Sequence, residues 1–134
     1  MILDPLLEAQ KAAIQILDTD ADLKAIVLAI TGHPSEGQAM PYIVIGSDSA
    51  DNSAKTVTRE SGSLMLHTWS NYRGTTEARQ IQARCRQLLH QQPEALMTAN
   101  PNLSIEDILH EFSRVDEDKE RLIYHGVQTF QLRL

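Results

Sequence analysis

Residues 62–89, GSLMLHTWSNYRGTTEARQIQARCRQLL, join the clearest strand pattern of the chain to its clearest helix pattern through one short turn. Between Leu64 and Trp69 the apolar side chains fall on both faces, which is typical of a strand inside a covered sheet. From Ala78 onward the apolar residues form a stripe about 100° wide, as expected of a helix that packs on a sheet. The stretch therefore predicts a strand–turn–helix unit. The polar face of its helix is predicted to carry Arg79, Gln82 and Arg86.

The limits of this helix are marked by residues that commonly begin and end helices. Gly74, with Thr75 and Thr76 beside it and Glu77 after them, is typical of a helix start, and Pro93 marks the end. Cys85, the one cysteine, lies on the apolar stripe. We therefore expect a buried, unreactive thiol and no internal disulfide.

The segment before this unit predicts two helices, a loop and a strand. Asp4 and Pro5 are a typical helix opening, and the first helix is expected at about 5–17. A short second helix is expected at 21–29, followed by a surface loop at 31–41. The compact β-branched run at 41–46 predicts an internal strand.

Residues 47–63, between this strand and the central unit, are small and polar. Only Lys55–Arg59 alternates as a strand would, with Val57 as the single large apolar residue. We expect a long hairpin or arm that becomes ordered against a partner, and the alternative is a floppy, solvated loop.

The C-terminal third predicts two strands. A strand is favoured over Leu103–Val115, and a short helix at 104–109 is the alternative. A charged turn is expected at 116–121 and a final strand at 122–134, in which Gly126 is interpreted as a bulge. The predicted order is α-α-β-β-β-α-β-β, a single α+β domain spanning 1–134. It has a largely antiparallel sheet with helices packed on one face.

Composition limits the possible partners and locations. The chain has 134 residues and a formal net charge of −6, so as a whole it repels nucleic acid and anionic lipid. No apolar run reaches the roughly 18 residues that a membrane span requires. The N-terminus also lacks the basic start of a signal peptide. We expect neither membrane contact nor sequence-specific nucleic-acid binding. We expect the protein to assemble in the cytoplasm.

The sequence contains no recognisable catalytic or metal-binding motif, so neither an enzyme nor a cofactor or metal is predicted. The five histidines lack metal-ligand spacing. His67 and His125 fall in two predicted strands and are expected to be structural imidazoles that meet across the sheet. The carboxylates at 106–107 and 116–120 are interpreted as a solubilising charge run, because adjacent residues on a strand point apart.

Four arginines, Arg73, Arg79, Arg84 and Arg86, form the one local basic cluster of an acidic chain. Arg79 and Arg86 are seven residues apart and share a helix face. Such a face suits contact with a second copy of the chain or with another acidic protein. The alternative is a merely solvated face.

Several short motifs in a fixed order resemble the tail-completion, or tail-terminator, family of long-tailed bacteriophages. They are the helical opening Asp4-Pro-Leu, Pro41–Gly46, Leu64–Ser70, Tyr72–Ala78, Phe112–Arg114 and His125–Phe130. The chain departs from the family pattern at 47–63 and at 100–109.

The resemblance implies a structural virion protein at the tail end, or neck, assembled in the host cytoplasm. Family members form a homomeric ring, usually hexameric, that ends growth of the tail tube and joins the tail to the head connector. The implied partners are copies of the chain, the tail tube protein and the head connector or stopper protein, with DNA passing through the ring lumen. No catalytic residues, cofactors or metals are implied.

Three other functional interpretations stay open. They are a different neck or head-completion structural protein, a small cytoplasmic enzyme without a recognisable motif, and a nucleic-acid adaptor, which the acidic net charge disfavours. The candidate subunit or tube contacts are Arg73, Arg79, Arg84, Arg86, Lys55, Thr56, Val57 and Arg59.

Overall fold

The computed structural model describes residues 4–49 and 61–134, which form an α+β fold, as predicted. Within those residues there are four helices and five strands. In chain order they are α1 (Pro5–Asp18), α2 (Ala21–Lys24), β1 (Ala29–Thr31), β2 (Tyr42–Ser49), β3 (Ser61–Ser70), α3 (Thr76–Leu89), α4 (Pro93–Ala99), β4 (Asp107–Asp118) and β5 (Ile123–Arg133).

The strands form one mixed sheet in the order β1-β2-β3-β5-β4. β1 runs parallel to β2, and every other neighbouring pair is antiparallel. β3 lies at the centre, where Trp69 pairs with Tyr42 of β2 and with His125 of β5. The prediction of a largely antiparallel sheet is therefore confirmed.

The core lies between the helices and one face of the sheet. Alternate residues of β3, beginning with Gly62, are buried, as expected when one face of a strand packs against helices. Leu64, Leu66 and Phe130 are fully buried there, and each such side chain stabilises the fold by about 1.5–3 kcal/mol. The other face carries no helix in the part of the chain that the structure describes. The prediction of helices packed on one face of the sheet is thus confirmed, and Met65 and Trp69 lie half-buried on the helix-free face.

The first helix forms as predicted, but the second is shorter than expected. Asp4 Oδ1 accepts a hydrogen bond from Leu6 N–H at 3.0 Å, and Pro5 occupies the first turn of α1. α2 ends at Lys24 rather than at residue 29. The residues after it turn toward the sheet and form β1, whose parallel pairing with β2 outweighs helix propensity.

One further element differs from the sequence-based prediction. Pro93 follows α3 as expected, but it also opens α4, a helix that was not predicted. Leu96 of α4 is fully buried in the core. The ends of the long hairpin or arm predicted at 47–63 pair in the sheet, Ser47 with Leu64 and Asp48 with Ser63, and its middle, 50–60, lies outside the described residues. Lys55, Thr56, Val57 and Arg59 lie outside the described residues.

The C-terminal strands form as favoured, and β4 replaces the alternative helix at 104–109. β4 continues to Asp118, so the charged turn is shorter than predicted. The bulge lies in β4, between His110 and Phe112, and not at Gly126. The side chain of Gln82 lies over Gly126, and a Cβ there would be 2.7 Å from Gln82 Nε2. No described helix combines the length and the hydrophobicity needed to cross a membrane.

Candidate interaction surfaces

A groove of about 250 Å³ runs between α3 and β4. We call it the α3–β4 groove. Residues of α3 line one side of the groove and residues of β4 line the other, and one residue of β5 also contributes to the lining. The lining residues are Arg79, Gln82, Ala83 and Arg86 of α3, Ser113, Arg114 and Val115 of β4, and Gln128 of β5.

Two buried glutamines hold the floor of the α3–β4 groove. Gln82 Nε2 donates to the carbonyl of Arg114 at 2.9 Å and lies 3.5 Å from that of Val127. Gln128 Nε2 donates to the carbonyl of Gln82 at 2.9 Å. The Oε1 atom of Gln128 is buried without a hydrogen-bond partner in the described chain. An unpaired buried acceptor costs free energy, so this atom is available to a donor from outside the described residues.

The burial of Gln82 corrects the prediction that it lies on the polar face of α3. Gln82 is 5% exposed. At 100° per residue it falls about 20° beyond Leu89, the residue at the margin of the apolar stripe. This helical angle was a signal that could have identified it. Arg79 and Arg86 lie about 40–60° farther around the helix, outside the stripe, and line the groove together with residues of β4.

The four arginines of the predicted cluster do not act together. Arg79 and Arg86 are exposed beside the groove, and neither forms an ion pair with any residue the structure describes. Arg73 lies exposed in the turn before α3, where Gly74 has a φ of 78°. Arg84 instead binds Asp20 of the same chain.

The Arg84–Asp20 pair ties α3 to α2. Arg84 Nε and Nη2 donate to the two carboxylate oxygens of Asp20 at 3.0 and 2.7 Å, in a bidentate arrangement. The hydrogen bonds from Arg84 lower the pKa of Asp20, and the same contact raises the pKa of Arg84. Asp20 also caps α2 by accepting from Leu23 N–H at 3.1 Å. Arg84 therefore has a structural partner within its own subunit.

The outer edge of β4 is covered in its first half and open in its second. Gln91 N–H donates to the carbonyl of Ile108 at 2.7 Å, and His110 N–H donates to His90 Nδ1 at 2.9 Å. Beyond the bulge, the backbones of Ser113 and Val115 form no described hydrogen bond outside the pairing with β5. These open positions lie next to the groove.

A second surface is the helix-free face of the sheet, where two histidines meet as predicted. His67 Nδ1 and His125 Nε2 are 2.9 Å apart, so one ring donates a hydrogen bond to the other. The His125 ring also stacks on Trp69, with centroids 3.9 Å apart and planes within 5° of parallel. Sequence reasoning missed this stacking, because it requires the register that aligns Trp69 with His125.

The surroundings of the histidine pair lower the pKa of both imidazoles. Burial lowers the pKa of His67, and burial together with the charges of His67 and Arg114 lowers the pKa of His125 against the opposing effect of Asp116. A shallow pocket of about 330 Å³ opens beside Trp69. It is lined by Trp69, Asp116, Glu117, Asp118, Arg121, Ile123 and His125.

The thiol is buried, and the possible metal ligands of the described residues are dispersed. Cys85 is fully buried, and burial raises the pKa of its thiol to about 12, which suppresses the reactive thiolate. Among residues 4–49 and 61–134, no three His, Cys, Asp or Glu side chains are grouped so that they could hold a metal ion. What the geometry offers is a basic groove beside an open strand edge and an aromatic, histidine-bearing face.

Comparison with known proteins identifies the family. The family model described as Tail completion protein gp17 matches residues 11–134. The chain belongs to the tail completion protein gp17 family. It is therefore a structural protein of a bacteriophage tail and a component of the virion, as the motifs of the sequence indicated.

Solved structures show the same fold. A chain in the virion of a native gene transfer agent particle is 19% identical, with a TM-score of 0.73 and coverage of 96% of both chains. The gp17 protein of bacteriophage SPP1 is 22% identical, with a TM-score of 0.59 and coverage of 96% of this tail completion protein and 89% of that chain. No curated protein sequence matches it significantly.

Proposed function

We propose that this tail completion protein assembles into a homomeric ring of six copies, ends growth of the tail tube and joins the tail to the head connector. The family assignment over residues 11–134 supports a tail-completing role. The fold shared with a chain of a gene transfer agent virion supports a role within a particle. The proposal includes no catalytic activity.

The main observation behind the proposal is that the described helices pack on only one face of the sheet and leave the other face exposed. A sheet with one solvated face normally alternates apolar residues toward the core with polar residues toward water. Here the helix-free face presents Met65 and the stacked pair of Trp69 and His125, and Phe112 is 44% exposed. An aromatic and apolar surface of this kind marks a contact with another protein.

The proposed partners are other copies of the chain, the tail tube protein and the head connector or stopper protein. DNA passes through the ring without sequence-specific contacts, since the net charge of −6 opposes retention of a polyanion. Residues Lys55, Thr56, Val57 and Arg59 remain proposed contacts with the tube or the connector. We propose that the whole chain acts as one domain in these contacts.

Native mass spectrometry and electron microscopy test the ring, with the protein concentrated alone and with tail tubes present. We expect closed hexamers, and tubes that stop elongating once the protein is added. Only monomers and two-fold dimers under both conditions would show that the ring proposal is wrong. Rings that bind the connector but not the tube would instead indicate a different neck protein.

A further inference from the structure

The sheet ends in two unlike edges. β1, at one end, has three residues, whereas β4, at the other end, has twelve. A ring repeats a contact between two different surfaces of the subunit, whereas a two-fold dimer pairs a surface with itself. Edges that lie at opposite ends of the sheet and differ in character therefore favour a head-to-tail contact.

At the β4 edge, the α3–β4 groove combines unpaired cations with unsatisfied polar groups. Arg79 and Arg86 lie on its rim without ion pairs among the described residues. Within 4–49 and 61–134, Gln128 Oε1 is buried at the groove without a hydrogen-bond partner, and the outward backbone groups of Ser113 and Val115 have none either. Ala83 and Val115 add a small apolar area between the arginines. The groove suits an extended segment with an apolar side chain and neighbouring carboxylates.

The β1 edge offers an apolar side chain that complements the groove. Leu28, which immediately precedes β1, is 60% exposed. Asp22, in α2, lies 3.6 Å from Arg84 Nη2 of its own chain, but its side chain is 76% exposed, and Glu36 is exposed in the loop after β1. An exposed leucine is thus accompanied by carboxylates.

We propose that the α3–β4 groove of one subunit receives the β1 edge of the next, with Leu28 packed on Ala83 and Val115. The proposal rests on the ring proposed above and specifies its contact. The carboxylates of Asp22 and Glu36 face Arg79 and Arg86, and this charge complementarity fixes the direction in which subunits join. The backbone of β1 extends the open half of β4, so that the sheets continue from one subunit into the next.

Cross-linking with a short bis-maleimide tests the contact in the full chain. The double variant Leu28→Cys/Ala83→Cys places one thiol on each proposed surface, and both parent residues are exposed. Cys85 does not interfere, because it is fully buried. We expect a ladder of covalent oligomers that ends at the ring stoichiometry. A mixture of the two single variants should give dimers only.

The pair Leu122→Cys/Ala83→Cys is the matched control, because Leu122 is 64% exposed but lies at the β4–β5 turn. It should give no ladder. Rings seen by native mass spectrometry without a Leu28–Ala83 cross-link would overturn this contact and leave the proposed ring standing. Dimers formed by Ala83→Cys alone would show that β4 edges pair two-fold. A complete absence of rings would overturn both proposals.

Charge reversal provides a second test. Arg79→Glu/Arg86→Glu should raise the concentration required for half-assembly by about tenfold or more, since like charges then face each other. Adding Asp22→Lys and Glu36→Lys should restore assembly. Lys119→Glu/Arg121→Glu changes the net charge equally, at the exposed β4–β5 turn, and should have little effect. Equal weakening by both double variants, or no restoration, would refute the contact.

Discussion

Gly126 is the position at which one added methyl group should disturb the link between α3 and the sheet. A Cβ at residue 126 would be 2.7 Å from Gln82 Nε2 and 3.3 Å from Thr68 Cβ. The amide of Gln82 must therefore move. It would then lose its hydrogen bond to the carbonyl of Arg114 and its longer contact with that of Val127.

The expected cost follows from these contacts. A buried carbonyl left without its donor costs about 1–3 kcal/mol. Replacing Gly by Ala also stabilises the folded state by about 0.4–1 kcal/mol, because it reduces the conformational entropy of the unfolded chain. Gly126→Ala should therefore lower the free energy of unfolding by about 1–2 kcal/mol. Gly46→Ala is the matched control, because nothing lies within 4 Å of its added Cβ, and its effect should be neutral or slightly stabilising.

Urea unfolding followed by circular dichroism measures both variants, with an unchanged m-value as the check that the two-state comparison holds. A double-mutant cycle with Gln82→Ala identifies the cause. In the Gln82→Ala background, Gly126→Ala should change the free energy of unfolding only slightly. The coupling energy between the two positions should therefore reach about 1 kcal/mol. If Gly126→Ala is as stable as Gly46→Ala, or if the cycle is additive, the clash with Gln82 is not the reason for the glycine.

Two further predictions concern titratable groups. Cys85 should resist alkylation in the native state and react at the rate of unfolding, because its buried thiol has a pKa of about 12; rapid native labelling would contradict its burial. His67 and His125 have lowered pKa values in the fold, so the unfolded chain binds protons more readily. Stability should be retained above about pH 6.5 and fall below it. Urea unfolding at about pH 7.5 and 5.5 should show a smaller loss for His125→Gln than for the wild type, with His33→Gln as the control for removing an exposed imidazole.

The sequence predicted the elements whose patterns are long and local. The alternation in β3 and the stripe of α3 were sufficient to place the central unit, and the pattern of β5 placed the contact between His67 and His125. β1 was missed because three residues carry no period and its pairing partner lies farther along the chain. α4 was missed because Pro93 was interpreted only as the end of a helix.

The interaction surfaces were harder to predict than the elements. Arg79 and Arg86 were identified from charge alone, but their place beside an open strand edge depends on how α3 packs over β4. Arg84 resembled them in sequence, but it forms a bidentate ion pair with Asp20, which lies 64 residues earlier. Tertiary contacts of this kind leave no periodic signal in one sequence.

The partial cover of β4 has a consequence for how an assembly closes. His90 and Gln91 occupy the outer edge at Ile108 and His110, so an incoming strand has no room to slide in that direction. A slip of two residues would shift a subunit by about 7 Å along the strand. Repeated around a circle, such a shift would convert a planar ring into an open spiral that keeps adding subunits. In the proposed assembly, His90 and Gln91 thus block this sliding of the incoming strand, which favours a closed ring with a fixed number of subunits.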